Sequence, residues 1–408
     1  MSKKLYFFTN SYPYGLGELW KTNELNVLVD FFDKITVIPF SYGGNTKPVL
    51  LIKGVDYQVP LFNNGISYPK WYKSCFQILF SKHLSLFLSE AKKEKVFYSA
   101  KRFIKWFSAS YKMLQIANNK SFKKIISGAD ENTILYFYWG RETSEALPLL
   151  RVNCFKIITR FHRYDLYKYA NDGYIPYQYY QIKRLDIACA CSSDGQNTLA
   201  DYYPGFTDKI VTKRLGTVTK GKASSSEDGI LRIVSCSLVE PVKRVDIIAR
   251  ALERLDIDTE WLHIGEGSLL KDIKSLANNS KNKRIKFSFL GQVSNEQVIN
   301  YYSNNTIDLF INVSGSEGIP ISIMEALAAG IPVMAADVGG TKEIVNNQVG
   351  MLLSKEVSSA ELAEKINIFY KMDKLQKSNL RTNAFTQYLD KCEATNLAKD
   401  FASFLISE

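Results

Sequence analysis

Glu317 and Glu325 stand eight residues apart in the run SGSEGIPISIMEALAAGIPVMAADVGGTKEIV, residues 314–345. A strand, TIDLFINVS, runs into the loop Gly315-Ser316-Glu317-Gly318-Ile319-Pro320, and a helix is predicted from about Ile321 to Ala329, stopped by Gly330 and Pro332. Glycine beside a helix N-terminus lets backbone N–H groups approach an anion closely, and the helix dipole favours negative charge there. The physical reading is a phosphate site over Gly318, Ile319, Pro320 and Ile321. Eight residues are about two helical turns, so Glu317 can meet a ligand at the helix tip while Glu325 reaches hydroxyls along its flank. A second loop, Gly339-Gly340-Thr341, follows another strand and offers further close backbone approach. The same residues also suit a plain cap, with Ser316 or Glu317 taking the free N–H groups, and a simple Gly-Gly turn.

Four further stretches carry chemistry or imitate it. In IVSCSLVEPVKRVDIIARAL a strand ends near Ser237 and a helix begins after Lys243-Arg244. Two adjacent cations there suit a diphosphate, Arg by forked hydrogen bonds and Lys as a point charge, or else form a solvated helix start. Gly265-x-Gly267 in LHIGEGSLL imitates a dinucleotide fingerprint, but Leu270 stands where the third glycine would be. NSYPYGLGELW puts Gly15 and Gly17 directly after the strand KLYFFT. ITRFHRYDLY ends a strand with His162, Arg163 and Asp165; the other histidines, His83 and His263, read as structural.

The pattern SxSEGxPxxxxEAxAxGxPVxAxxxGGxxEIV resembles the donor-site signature of the retaining family-four glycosyltransferases of the GT-B fold (glycosyl transferases group 1), including its Glu-x7-Glu element at Glu317 and Glu325. The resemblance covers most of the second half and more patchily the first. It implies that Lys243 neutralises the leaving phosphates with Arg244 beside it, although the family often has Arg where this chain has Ser237. It implies that Gln292 and Val293, in FLGQV, read the nucleotide base, a segment that is otherwise a strand-to-helix turn. Glu325 would hold the ribose hydroxyls and Glu317 the sugar hydroxyls. A flexible loop would bring Gly17 to the donor phosphate and acceptor, and His162 would touch the donor sugar or developing charge, or else be a satisfied structural histidine. The implied activity moves a sugar, hexosyl or N-acetylhexosaminyl, from a UDP- or GDP-sugar to a hydroxyl of a glycan or lipid-linked acceptor, in cell-surface polysaccharide biosynthesis. Catalysis would rest on leaving-group stabilisation and front-face attack. No DxD-type metal site stands out, so no metal or other cofactor is expected. The alternative is a non-catalytic GT-B subunit that binds or scaffolds.

These residues need scaffolding that the rest of the chain supplies. Short apolar runs alternate with helical spacing: KLYFFT, ITVIPF, TILYFYW, FKIITRF, IACACSS and KIVTKRLG, then ILRIVSCSLV, TEWLHIGEG, IKFSFLGQV, TIDLFINVS and IPVMAADVGG. Strand-helix alternation predicts α/β architecture: two doubly wound, Rossmann-like domains with parallel sheets, facing across a deep cleft. The expected boundaries are an acceptor domain at 1–218, a linker at 219–229 (TKGKASSSEDG) and a donor domain at 230–385. A C-terminal helix at about 386–408 is expected to pack back on the first domain. Residues 68–124 read as helices inserted in that domain.

At 408 residues, 46% hydrophobic and 23% charged, the chain is an ordinary well-cored protein rather than a disordered one. Its departure is charge: 52 Lys+Arg against 41 Asp+Glu give +11. Residues 1–218 hold 30 basic and 17 acidic side chains, so the first half carries the whole excess. Lys70 to Lys124 alone has 13 Lys/Arg against Glu90 and Glu94, interleaved with aromatics. That pattern suits an anionic membrane surface or solvated faces over an aromatic core; no nucleic-acid module is recognisable. Six scattered cysteines without paired CxxC spacing argue for reduced thiols. No stretch suits a signal peptide or a membrane span, so the expected location is the cytoplasm, peripheral at the inner face of the membrane.

Overall fold

A computed structural model describes residues 3–68 and 71–407; Lys70, which opens the basic segment, lies outside the described residues. Contacts divide the chain into two compact units, one running to Lys213 and resuming at Phe401, the other Arg214–Asp400.

The first unit is built on seven strands: β1 (Lys4–Thr9), β2 (Lys34–Pro39), β3 (Val55–Tyr57), β4 (Thr133–Phe137), β5 (Lys156–Phe161), β6 (Ile187–Ala190) and β7 (Ile210–Thr212). They pair in parallel in the order β3-β2-β1-β4-β5-β6-β7. The second unit carries β8 (Leu231–Cys236), β9 (Thr259–Ile264), β10 (Ile285–Gly291), β11 (Leu309–Asn312), β12 (Val333–Ala336) and β13 (Gly350–Leu353). Their order is β10-β9-β8-β11-β12-β13, again parallel throughout. Each sheet reverses direction once, between β1 and β4 and between β8 and β11. In open parallel sheets that reversal leaves a crevice at the carboxyl ends of the strands, so the loops after these four strands are the ones placed to bind.

Strands covered on both faces should be apolar along their length, and β4 and β5 are buried from end to end. Phe8 and Phe137, register partners across β1 and β4, stack 4.3 Å apart. Between β3 and β4 lie the helices Trp71–Leu79, Leu84–Lys93, Ala100–Asn118 and Lys120–Ser127. Ser99 and Asn119 cap the last two by accepting from the N–H groups of Arg102 and Phe122, each cap worth about 1 kcal/mol. These helices form a small core of their own, Phe87, Trp106, Tyr111 and Met113 against Tyr174 and Tyr177. Glu90 is buried there and accepts from Tyr174 Oη and Tyr177 N–H; burial pushes its carboxyl up to about 7.

The segment expected as a linker is held on the second unit. Ala223 N–H donates to Ala329 O, Ser224 bridges to Thr306, and Asp308 accepts from both the N–H and Oγ of Ser226. The boundary falls instead at Lys213/Arg214. The tail forms two helices, Lys374–Lys391 and Ala394–Ile406, and only the part from Phe401 on joins the first unit. Phe401 sits 4.4 Å from the buried Arg160 guanidinium and 5.1 Å from the Tyr136 ring. All six cysteines are free. Among the described residues no helix is long and apolar enough to cross a membrane.

Candidate active site

In the second unit, the loops after β8 and β11 are stitched together. Gly315 N–H donates to Val242 O at 2.7 Å, and Lys243 Nζ meets Glu317 Oε1 at 2.6 Å. Arg244 takes a left-handed backbone conformation, φ 50°. Its guanidinium donates to Val313 O, Ser314 O and Lys355 O and pairs with Glu356. Of the expected pair of cations, Arg244 is spent on the carbonyls that shape the loop, and Lys243 pairs with Glu317. The third loop locks the same segment from behind: Gly340 N–H donates to Gly318 O at 2.7 Å, and a Cβ on Gly339, at φ 54°, would lie 2.1 Å from Glu317 O. The close approach expected of this Gly-Gly pair is thus made to the Glu317-Gly318 backbone.

The helix that follows is Ile321–Ala328, with Pro320 at its N-cap and no side chain capping it. The N-cap position thus falls on Pro320, not on Ser316 or Glu317. The turn Gly318-Ile319-Pro320-Ile321 presents a helix N-terminus whose first N–H groups suit an anion. Glu325 lies inside this helix, 5% exposed, and accepts from Asn295 Nδ2. Burial pushes its carboxyl up to about 8, against a smaller lowering by Asn295. Gln292 is exposed and Val293 half-buried in the turn between β10 and the helix Asn295–Asn304, which Ser294 caps in a reciprocal box with Gln297. Asn295, which ties this turn to Glu325, carried no signal in the sequence beyond its position three residues after Gln292.

Gly265 and Gly267 are needed for backbone packing, since a Cβ would fall 1.9 Å from Ser237 O and 2.5 Å from Val239 O. His263 is fully buried between Ser235 Oγ and Ser237 O, and burial lowers it to about 4.

In the first unit, the segment after β1 is pinned rather than loose. One Glu18 carboxylate oxygen accepts from the N–H groups of Ser11 and Tyr12 at 2.7 and 2.8 Å; the other accepts from Trp139 Nε1 at 2.6 Å and from Lys21 Nζ. Burial alone would raise Glu18, but Lys21 and the backbone donors outweigh it and hold the carboxyl at about 2. Lys21 is wholly buried against the rings of Trp20, Tyr138 and Trp139, and burial, partly offset by Glu18, lowers it to about 8. Gly17 is exposed in the short 3-10 turn Leu16–Lys21, and a Cβ there would meet nothing within 4 Å. Its lack of a side chain is not required by internal packing.

His162 differs from the expectation of a sugar-facing group. Nε2 donates to Tyr138 O at 2.9 Å and Nδ1 faces the Cys191 thiol at 3.5 Å, so both ring nitrogens are engaged internally. Burial, aided by the Arg160 charge, lowers it to about 3, leaving a neutral ring. Its partner Asp165 accepts from the N–H groups of His162 and Gly140. The group Glu18, Lys21 and Trp139 was missed in the sequence; the only clue was the Glu-Lys spacing of three in GELWK.

Residues 221–386 match the family described as glycosyl transferases group 1. The O-antigen biosynthesis glycosyltransferase WbnH of Escherichia coli is 32% identical over 134 residues, 33% of this chain and 34% of that protein. The N,N'-diacetylbacillosaminyl-diphospho-undecaprenol alpha-1,3-N-acetylgalactosaminyltransferase of Campylobacter jejuni is 35% identical over 77 residues, 19% of this chain and 20% of that protein. The chain thus spans about a third or less of the length of these relatives. HepE of Anabaena, solved with UDP and glucose, superposes over 100% of both chains with TM-score 0.62 at 16% identity, which is a likeness of fold. The two parallel sheets and the switch-point loops agree with that likeness: this chain has the GT-B fold, and its residues 221–386, which hold the Glu317 to Glu325 segment, are similar to the glycosyl transferases group 1.

Proposed function

We propose that the protein transfers a hexosyl or N-acetylhexosaminyl group, with retention, from a UDP- or GDP-sugar to a hydroxyl of a glycan or lipid-linked acceptor in the making of a surface polysaccharide. The observation that carries this is the Lys243–Glu317 pair beside the uncapped N-terminus of Ile321–Ala328. A departing diphosphate needs positive potential more than it needs a strong base, and Lys243 with the N-terminus of the helix supplies it. Glu317 orients the sugar hydroxyls, Glu325 the ribose, and Gln292 and Val293 the base. Gly17 gives the acceptor side room for close approach, and the departing phosphate takes the acceptor proton. Arg244 and His162 act as positioning residues, the first on the donor loop and the second on Trp139.

This chemistry proceeds without a divalent metal, so excess EDTA leaves the rate unchanged. The test is release of nucleoside diphosphate from a panel of nucleotide sugars with mixed glycan and polyprenyl-phosphate-linked acceptors. Lys243→Ala and Glu317→Ala are each expected to cost roughly 10²–10³ in kcat/KM. Nucleotide binding without turnover of any donor would favour a non-catalytic subunit.

The first unit also suits a peripheral membrane attachment. Trp71, Phe76, Phe80, Phe97, Tyr98 and Ile104 are all more than 60% exposed on the inserted helices. A groove of about 1040 Å³ beside them has Phe76 and Phe80 in its wall and Lys82, Lys123 and Arg151 among its lining, with no carboxylate. Of the two acids in this segment, Glu90 is turned inward. Co-sedimentation with vesicles of phosphatidylglycerol but not phosphatidylcholine, weakened by salt, is the expected result; equal failure with both rejects the attachment.

A further inference from the structure

Two of the five tryptophans of the chain, Trp20 and Trp139, meet at the carboxyl edge of the first sheet. Trp20 belongs to the 3-10 turn after β1, and Trp139 stands two residues beyond the end of β4. These are the two strands between which the sheet reverses. The rings lie 6.3 Å apart at 90°, so they form two walls of a corner, and both are half-buried.

An indole has one polar atom, and here both are used inward. Trp20 Nε1 donates to Gly17 O at 3.1 Å and Trp139 Nε1 to Glu18 at 2.6 Å. What these side chains show outward is therefore ring carbon alone. Each is held from several sides: Lys21 lies 5.3 Å from one ring and 5.1 Å from the other, and the neutral His162 ring packs 4.1 Å from Trp139. An exposed ring that were merely filling space would not need a buried ion pair and a histidine to fix its plane. Fixed aromatic faces suit a ligand that is itself flat and apolar on one side and polar at its rim. A pyranose has that chemistry: its axial C–H bonds form an apolar face, and its hydroxyls ring the edge.

We infer that Trp20 and Trp139 seat the terminal pyranose ring of the acceptor, with Trp139 as the stacking face and Trp20 as the side wall. The inference rests on the glycosyltransferase reading and narrows its acceptor to one ending in a sugar ring rather than an open-chain polyol. Glu18, Lys21 and His162 are the positioning residues beneath the platform.

Saturation-transfer NMR with the methyl glycosides of glucose, galactose, N-acetylglucosamine and N-acetylgalactosamine tests it, with glycerol as the ringless control. The wild-type protein should pass saturation to the protons of one face of at least one glycoside and none to glycerol. Trp139→Ala should weaken that transfer by about fivefold or more, while Trp139→Phe keeps most of it. Both variants lose the donation to Glu18, so only the missing ring separates them, and circular dichroism checks that both fold. No transfer from the wild type to any glycoside, or undiminished transfer in Trp139→Ala, overturns the inference. Thermal shift with UDP and GDP runs beside it: a nucleotide shift without glycoside transfer sinks the platform alone. Ring-dependent transfer with no nucleotide shift leaves the platform standing and sinks the donor reading.

Discussion

Glu325 carries its carboxyl into the body of the second unit, and this makes both stability and donor affinity depend on pH. The group titrates near pH 8 in the folded chain, against 4.5 when unperturbed. Folding therefore disfavours its ionisation: the penalty is absent below about pH 4.5, grows as pH rises, and is complete above about pH 8. Glu325→Gln should raise Tm by about 2–4 °C at pH 9 and change it little at pH 5, read by calorimetry. In the proposed donor site a ribose diol would donate to the carboxylate, so donor binding would expel the proton. Donor KM should fall as pH rises from 6.5 toward 8, and titration calorimetry in buffers of different ionisation enthalpy should show proton release; equal heats in all buffers would refute this. In the sequence Glu325 was legible because its spacing from Glu317 is local. Asn295 and the inward turn of His162 were not, because each is defined by a partner 24 or more residues away, as His162 is by Tyr138; Glu18 has local partners in Ser11, Tyr12 and Lys21, but its tie to Trp139 is equally distant.

The loops at the switch points use their glycines in two different ways, and substitution separates them. A Cβ at Gly339 would strike Glu317 O in a left-handed conformation, so Gly339→Ala must move the loop that carries Glu317. It should cost about 2 kcal/mol or more in urea unfolding and abolish turnover together. A Cβ at Gly17 meets nothing, so Gly17→Ala should leave the unfolding midpoint in place while lowering kcat/KM roughly tenfold or more; a matching loss of stability would show the residue to be structural. The eleven strands read from apolar runs are all present; β4 and β5 are continuously buried and leave a continuous apolar signature, while β10 alternates between buried or half-buried and exposed positions. The strands β3 and β13 lie at sheet edges, three and four residues long, and are only partly buried, so neither leaves an apolar run long enough to stand out. The polar run 219–229 misled as a linker because its ordering comes from Asp308 and Thr306, which composition does not show.

The chain as a whole closes its first unit with its last residues. Arg160 is fully buried with one acidic partner, Glu24, and Phe401 covers its guanidinium. Phe401→Ala should destabilise that unit by about 3 kcal/mol, seen as earlier loss of the transition that UDP does not protect; an unchanged transition would show the tail to be dispensable. The exposed rings on the inserted helices have a consequence for the purified protein. With +11 of net charge the molecules repel one another at low ionic strength, while the aromatic face attracts. Salt shortens the range of the repulsion to about 8 Å at 0.15 M and leaves the attraction in place. The solubility limit is therefore set by a patch rather than by the average surface. Light scattering should show self-association growing with added salt, and Trp71→Ser with Phe80→Ser should restore monodispersity without any change in net charge.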